Sequence, residues 1–267
     1  MDTPVSDKKI PLVEMFGPTV QGEGSVIGLQ TYFLRFGLCD YKCTMCDSMH
    51  AVDPMVVRAK AEWLTQQEIW NKFSGFHKPN TTQWVTFSGG NPCIHDLDQL
   101  ITLLKLHNFQ ISVETQGTLS PAWLHRIDDL TISPKGPGMG EKTDLEVLDM
   151  FVYKNTYIGG LAPRRRPVNM KVVIFDQRDI EFAAMIAERY CMNGNSNDMK
   201  MYLSLGNPTP PDNDGKPKAG EKYEEMVMRQ IGLYKMLYED ISTHPILSQA
   251  KWLPQWHLLV WGNVKGF

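Results

Sequence analysis

Three of the chain's five cysteines, Cys39, Cys43 and Cys46, lie within eight positions of the stretch LRFGLCDYKCTMCDSMH from Leu34 to His50. Their spacing is C-x3-C-x2-C, and Asp47, Ser48 and His50 follow at once. Three soft thiolates in so short a loop suit zinc or an iron-sulfur cluster. A structural zinc needs a fourth ligand, which Asp47 or His50 can supply. Such sites generally pair two knuckles at a distance, and no second Cys or His knuckle is present. The other reading is a [4Fe-4S] cluster with one iron open to a further ligand. Cys93 and Cys191 stand alone and read as small buried hydrophobes.

A loop of this kind needs a frame to present it. From Thr31 onward, short apolar and β-branched runs alternate with segments of helical period. TYFLRF, QWVTF, QISVE, LTI, NMKVVIF and MYLSL read as strands. Helices are expected over DLDQLITLLKLH with Asp96 as N-cap, and over AWLHRI with Ser120 as N-cap and Pro121 at the first helical position. Others are expected over DLEVLDMF, near Arg178 to Tyr190, and from about Lys222 to Asp240.

Strands separated by helices pair in parallel through crossovers. About six such units fit, too few for a closed eightfold barrel. The expected fold is α/β: a single-domain, open, partial (β/α) barrel of about six parallel strands over residues 1–267, with its chemistry at the C-terminal strand ends. The reactive-looking segments obey that rule. The cysteines follow TYFLRF, SGGNPC follows QWVTF, Glu114 ends QISVE, SPK follows LTI, and SLGN ends MYLSL. The segments near 155–167 and 206–222 read as variable loops, the run Arg164 to Arg166 within the first as solvated.

A chain of 267 residues can bury one sizeable core. A formal charge of -3 lacks the global basicity of a nucleic-acid binder. No apolar run has the length of a signal peptide core or of a bilayer span, so a cytoplasmic protein without membrane contact is expected. In that reducing compartment a cysteine cluster reads as metal-binding or catalytic, not as a disulfide framework.

The cysteine spacing, placed after the first strand of a parallel β/α chain, resembles the radical S-adenosylmethionine superfamily. SGGNP, Ser88 to Pro92, resembles its Gly-Gly-Glu-Pro motif, with Asn91 where Glu is more usual. The paired glycines suit close approach of backbone to the methionine amino group. The resemblance implies that the open iron chelates the methionine moiety and that one electron from the reduced cluster yields a 5'-deoxyadenosyl radical.

Within that superfamily, T-x-QGEG from Thr19 to Gly24, CDS at Cys46 to Ser48, VETQGT, ISPK and the segment LPQWHLLVWGNVKGF are similar to the 7-carboxy-7-deazaguanine synthase family. That likeness implies a ring contraction of 6-carboxy-5,6,7,8-tetrahydropterin to 7-carboxy-7-deazaguanine with loss of ammonia. It implies a substrate site of Val20, Gln21, Gly22, Glu23, Arg35, Ser88, Glu114, His257 and the terminal carboxylate of Phe267. It places S-adenosylmethionine on Gly90, on Ser133, Pro134 and Lys135, and on Ser204, Leu205, Gly206 and Asn207. Ser48 becomes a Mg2+ ligand, and the partners become a second copy of the chain and an electron donor such as flavodoxin, without direct nucleic-acid contact.

The residue types suit these roles. Arg35 can fork a carboxylate, although an ion pair with a neighbouring acid is the plainer reading. Glu114 can accept two N-H groups from a 2-amino-pyrimidinone edge. Two other readings stand beside this one: an activase that makes a glycyl radical on a partner protein, and a zinc-stabilised module that binds RNA through its arginine loop.

Overall fold

The computed structural model describes residues 7–158, 162–163, 166–192, 199–211, 222–262 and 264. Among these described residues the main sheet has nine strands. β1 (Ile10–Val20) pairs antiparallel with both β2 (Gln30–Phe36) and β3 (Glu62–Leu64). From β2 the sheet continues in parallel through β4 (Trp84–Gly89), β5 (Gln110–Thr115) and β6 (Asp129–Ile132). A small antiparallel ribbon, β7 (Tyr157–Ile158) with β8 (Ala162–Pro163), stands apart. Parallel pairing then resumes through β9 (Val168–Ile174), β10 (Met201–Leu205) and β11 (Lys251–Leu253). The parallel strands follow chain order across the sheet, as in a singly wound partial barrel.

The six expected strands are all present. A seventh parallel strand, β11, and the antiparallel pair β1 and β3 were not anticipated. The helices are α1 (Met49–Val52), α2 (Pro54–Lys60), α3 (Gln66–Phe76), α4 (Asp98–Leu106), α5 (Leu145–Thr156), α6 (Gln177–Tyr190), α7 (Tyr223–Thr243) and α8 (Trp256–Trp261).

Strand side chains alternate between two faces, and the sequence uses the alternation consistently. Tyr32, Leu34 and Phe36, Val85 and Phe87, Ile111 and Val113, Leu130 and Ile132, and Val168, Met170, Val172 and Ile174 all join one buried cluster, with Ile69, Leu100 and Ile180 from the helices packed in it. Each such side chain stabilises the fold by roughly 1.5–3 kcal/mol through burial. The other parity is polar. Thr31, Thr86 and Ser112 form a buried hydroxyl chain with O···O distances of 2.9 and 2.7 Å. Arg35, Ser88, Glu114 and Lys171 share the inner face, nearer the C-terminal strand ends, and line one cavity there.

Two expected caps are replaced. Asp96 accepts from the Asp98 N-H at 3.2 Å, but α4 begins only at Asp98, with Leu97 at the cap position. AWLHRI forms a 3-10 turn, Ala122–Arg126, capped by Pro121 without a side-chain bond. Ser120 instead accepts from Asn155 Nδ2 at 2.9 Å, because the end of α5 packs against that turn. In the expected loop 155–167, Asn155 and Thr156 belong to α5, and Arg166 donates to Asn155 Oδ1 at 2.9 Å. Arg164 and Arg165, most of the loop 206–222, and Phe267 lie outside the described residues.

Candidate active site

The cysteine loop leaves β2 and is fastened to each neighbouring strand end. The Gly90 N-H donates to the Phe36 carbonyl at 2.9 Å and the Asn91 N-H to the Leu38 carbonyl at 2.8 Å. A Cβ on Gly90 would stand 1.9 Å from the Leu38 oxygen. The glycine is therefore required by the packing of the β4 turn on the cysteine loop, in addition to any ligand approach.

Asn91 is fully buried. Its amide nitrogen donates to Asp40 Oδ1 at 2.8 Å, and its oxygen accepts from the Cys93 N-H and from Thr115 Oγ1. A glutamate here would set carboxylate against carboxylate, so Asn91 belongs with Asp40. Beyond β5, Gln116 Nε2 donates to Asp40 and to Cys39 Sγ, the latter at 3.6 Å. Beyond β6, the Thr44 N-H donates to the Met139 carbonyl at 2.9 Å.

All three clustered thiols face one cavity. Burial pushes Cys43 up to about 11 and Cys46 up to about 12, and raises Cys39 as well. So desolvated, they stay protonated unless a bound cationic centre draws the protons off, as metals do to coordinating thiols. Cys39 Sγ accepts N-H groups from Tyr41 at 3.4 Å and from Gln116, the amide donors that a cluster-bound sulfur favours. The donor set fits a [4Fe-4S] cluster. His50, the rival zinc ligand, is engaged by an acid: its Nε2 lies 3.2 Å from Glu14 Oε2. Cys93 is buried as expected, and Cys191 packs half-buried against the core.

Across the cavity lies a polar floor. Glu23 in the QGEG loop is buried, and its Oε2 lies 2.6 Å from Lys171 Nζ of β9. Gln255 Nε2 and, at 3.4 Å, Ser204 Oγ also donate to Glu23. Burial pushes the Glu23 carboxyl up, but Lys171, His257 and the donated hydrogen bonds together outweigh it and hold the group at about 2. Lys171 Nζ also stands 3.7 Å from Glu114 Oε1, which accepts from Gln21 Nε2 at 3.3 Å. A Cβ on Gly22 would meet His257 Nδ1 at 2.7 Å, so α8 sits directly on the QGEG loop.

A second polar corner joins β1, β2 and the cysteine loop. Glu14 and Arg35 are cross-strand neighbours, and Arg35 Nε lies 2.6 Å from Glu14 Oε2. Arg35 Nη1 donates to Ser48 Oγ at 3.0 Å, and Ser48 donates to Asp47 Oδ1 at 2.9 Å. The plainer reading of Arg35, an ion pair with a nearby acid, describes the ligand-free chain. The same guanidinium nevertheless lines the cavity beside Ser48. Glu23, Asp47 and His257 bring ligand atoms within 4.8 Å of one another. Glu23 is already engaged by Lys171 and Gln255, and no metal is assigned to that set.

The cavity gathers Val20, Gln21, Gly22, Glu23, Arg35, Ser88, Glu114 and His257, all expected at the substrate, together with Cys39, Cys43, Cys46 and Ser48. Of the residues expected at S-adenosylmethionine, Gly90, Ser133, Lys135 and Asn207 line it, and Lys135 Nζ donates to Ser133 Oγ at 3.2 Å. Pro134, Ser204, Leu205 and Gly206 do not line it. Pro134 and Leu205 are buried, Ser204 serves Glu23, and the Gly206 carbonyl accepts from Gln230. Sequence reasoning missed Lys171, Glu14 and Gln116. The available signal for Lys171 was a lone charge inside the apolar run NMKVVIF.

The chain is 36% identical over 260 residues to the 7-carboxy-7-deazaguanine synthase of Bacillus subtilis (strain 168), spanning 97% of this chain and 99% of that one. The 7-carboxy-7-deazaguanine synthase of Bacillus cereus is 35% identical over 262 residues, with the same coverage. The chain belongs to the 7-carboxy-7-deazaguanine synthase family.

The crystal structure of QueE from Escherichia coli has the same fold, with a TM-score of 0.59 at 20% identity over 92% of this chain and 94% of that one. Streptococcus suis SuiB bound to S-adenosylmethionine shares the architecture at a TM-score of 0.50 and 14% identity, over 81% of this chain and 48% of that one. A scan against models of known families finds no match. Membership makes this chain a radical S-adenosylmethionine enzyme, with a [4Fe-4S] cluster and S-adenosylmethionine as its cofactors. The three thiols on the cavity wall suit the first of these.

Proposed function

We propose that the chain converts 6-carboxy-5,6,7,8-tetrahydropterin to 7-carboxy-7-deazaguanine with loss of ammonia, and that Mg2+ assists. The observation that carries this reading is the single cavity that joins the three thiols, the acceptor floor of Glu23 and Glu114, and the Arg35–Ser48 corner.

When bound, the cluster and S-adenosylmethionine supply one-electron radical chemistry. The chain's own residues bind and orient. Cys39, Cys43 and Cys46 hold the cluster. Gly90, Ser133, Lys135 and Asn207 line the wall on the side of the methionine cosubstrate. Glu114 and Glu23 accept the N-H groups of the pterin's pyrimidine edge, and Arg35 answers its carboxylate. Ser48 Oγ supplies Mg2+ with one oxygen, the rest of the shell coming from substrate and water, as suits an ion that keeps several waters. The reading extends to a homodimer fed by a donor such as flavodoxin in the cytoplasm. Among the described residues no helix is long and apolar enough to cross a membrane.

Anaerobic reconstitution tests the assignment. Brown protein whose [4Fe-4S] absorption vanishes in Cys43→Ala, and which forms 7-carboxy-7-deazaguanine from the carboxy-tetrahydropterin, supports it. Colourless protein holding one zinc overturns it. Ser48→Ala should keep the cluster yet lower turnover and abolish its response to added Mg2+. Turnover that never responds to Mg2+ in the unaltered protein removes that role.

A further inference from the structure

The cavity floor is rich in hydrogen-bond acceptors. Glu23 and Glu114 bring two carboxylates, and Gln255 adds a third group. Its Nε2 donates to Glu23, which fixes the amide orientation and leaves Oε1 buried without a hydrogen-bond partner. The cation set between the carboxylates is Lys171, only 6% exposed, 2.6 Å from one and 3.7 Å from the other. It rises from β9, whose other inward residue at the cavity is the uncharged Val173. The other charged groups nearby are already placed. Arg35 is held by Glu14, Asp129 of β6 takes the Ser25 hydroxyl, and His257 of α8 and Asp47 of the cysteine loop each bring an atom within 4.8 Å of the Glu23 carboxylate.

Two carboxylates that face one ligand edge repel each other unless a cation stands between them. Building on the pterin reading above, we infer that Lys171 is the specificity-determining residue of the floor. Standing 2.6 Å from Glu23 and 3.7 Å from Glu114, its ammonium holds the two carboxylates as a pair of acceptors, and so the floor selects a ring edge of adjacent N-H donors.

The 2-amino-4-oxo pyrimidine edge of a pterin presents such donors. The 2,4-dioxo edge of a lumazine puts a carbonyl where the amino group was, and that oxygen meets an acceptor. A site with committed, buried acceptors rejects such an analogue strongly, because both oxygens lose their partners. Lys171 acts through the carboxylates without touching the ring, so it is a positioning residue.

The test compares binding of 6-carboxy-tetrahydropterin and 6-carboxy-tetrahydrolumazine to the cluster-loaded protein by anaerobic calorimetry. The unaltered chain should prefer the pterin by at least about 100-fold, the scale expected of a polar site that reads a donor. Lys171→Met should lower that preference at least tenfold, while Lys171→Arg, which keeps the charge, should retain most of it. A merely structural lysine would weaken both ligands alike and leave the ratio unchanged. An undiminished ratio in Lys171→Met overturns the inference and leaves the proposed function standing. Should Lys171→Met not fold, equal affinity of the unaltered chain for both ligands still overturns it. If the unaltered chain binds neither ligand, the pterin reading itself falls, and this inference with it.

Discussion

Gln116 touches the cysteine loop twice, at Asp40 and at Cys39 Sγ. A hydrogen bond to a cluster-bound sulfur favours the reduced, more negative state, so its removal should lower the cluster's reduction potential. We expect Gln116→Leu to keep its [4Fe-4S] absorption while its potential, read by an EPR-monitored redox titration, moves to a more negative value. An unchanged potential with an intact cluster would show that the N-H···S contact plays no part. At this scale the sequence is readable wherever residues of like chemistry crowd together. Cys39, Cys43 and Cys46 announce a metal by spacing alone, and Ser48 and Glu23 come with motifs. Lys171 and Glu14 carry no motif. Their partners are distant in sequence, Glu23 by 148 positions from Lys171, and only the strand register brings them together.

Asp129 at the start of β6 and Asp179 in the first turn of α6 show what the elements contribute. Burial pushes the Asp129 carboxyl up to about 6, with the Ser25 hydrogen bond only partly opposing it. The folded chain therefore holds a proton that the unfolded chain releases near the ordinary aspartate value. Stability from this group is complete below about 4 and is lost as pH rises to about 6, on the order of 3 kcal/mol at 1.36 kcal/mol per pH unit. Asp129→Asn lacks that loss. Its melting temperature relative to the unaltered chain should rise between pH 4 and 6 and level off above; a flat difference would contradict the burial argument. Asp179 is fully buried and accepts the N-H groups of Gly138 at 2.8 Å and Phe175 at 2.9 Å, tying α6 to the loop that carries Ser133 and Lys135. Asp179→Ala should weaken S-adenosylmethionine binding through that loop, leaving two buried donors unmet at roughly 1–3 kcal/mol each. Equilibrium binding to the loaded protein checks this, and an unchanged affinity would contradict it. The six regular strands were legible because apolar and polar residues alternate in each with helices between. β1 was not, because Pro11, Gly17 and Pro18 interrupt its alternation, and three-residue β11 is too short to carry a pattern. Asp96 and Ser120 looked like caps because their residue types suit the role, but packing moved the helix start in one case and made a 3-10 turn in the other.

In the whole molecule, two segments far apart in sequence close one site. The Trp256 N-H donates to the Gly22 carbonyl at 3.3 Å, and Gln255 reaches Glu23. On the proposed reading, the early QGEG loop and α8 form the substrate side of the cavity, while the loops after β2, β4, β5 and β6 form the cluster side. Gln255→Leu should therefore raise the KM for the pterin at least tenfold with cluster content and S-adenosylmethionine affinity unchanged; a loss of cluster would show that the two sides are not separable. A partial barrel was legible from the number of β/α units, and the strand-end rule located the cavity. His257 was expected at the substrate by resemblance, but the closure by α8 was not legible, because no strand register fixes that segment. The proposed reaction turns a carboxy-tetrahydropterin into 7-carboxy-7-deazaguanine in this cavity and regenerates S-adenosylmethionine at each turnover. The most direct test is a multiple-turnover reaction of reduced, cluster-loaded protein with Mg2+, excess substrate and limiting S-adenosylmethionine. Several molecules of 7-carboxy-7-deazaguanine should form per S-adenosylmethionine supplied, with the latter recovered. Slow release of 5'-deoxyadenosine without the deazaguanine product would contradict it.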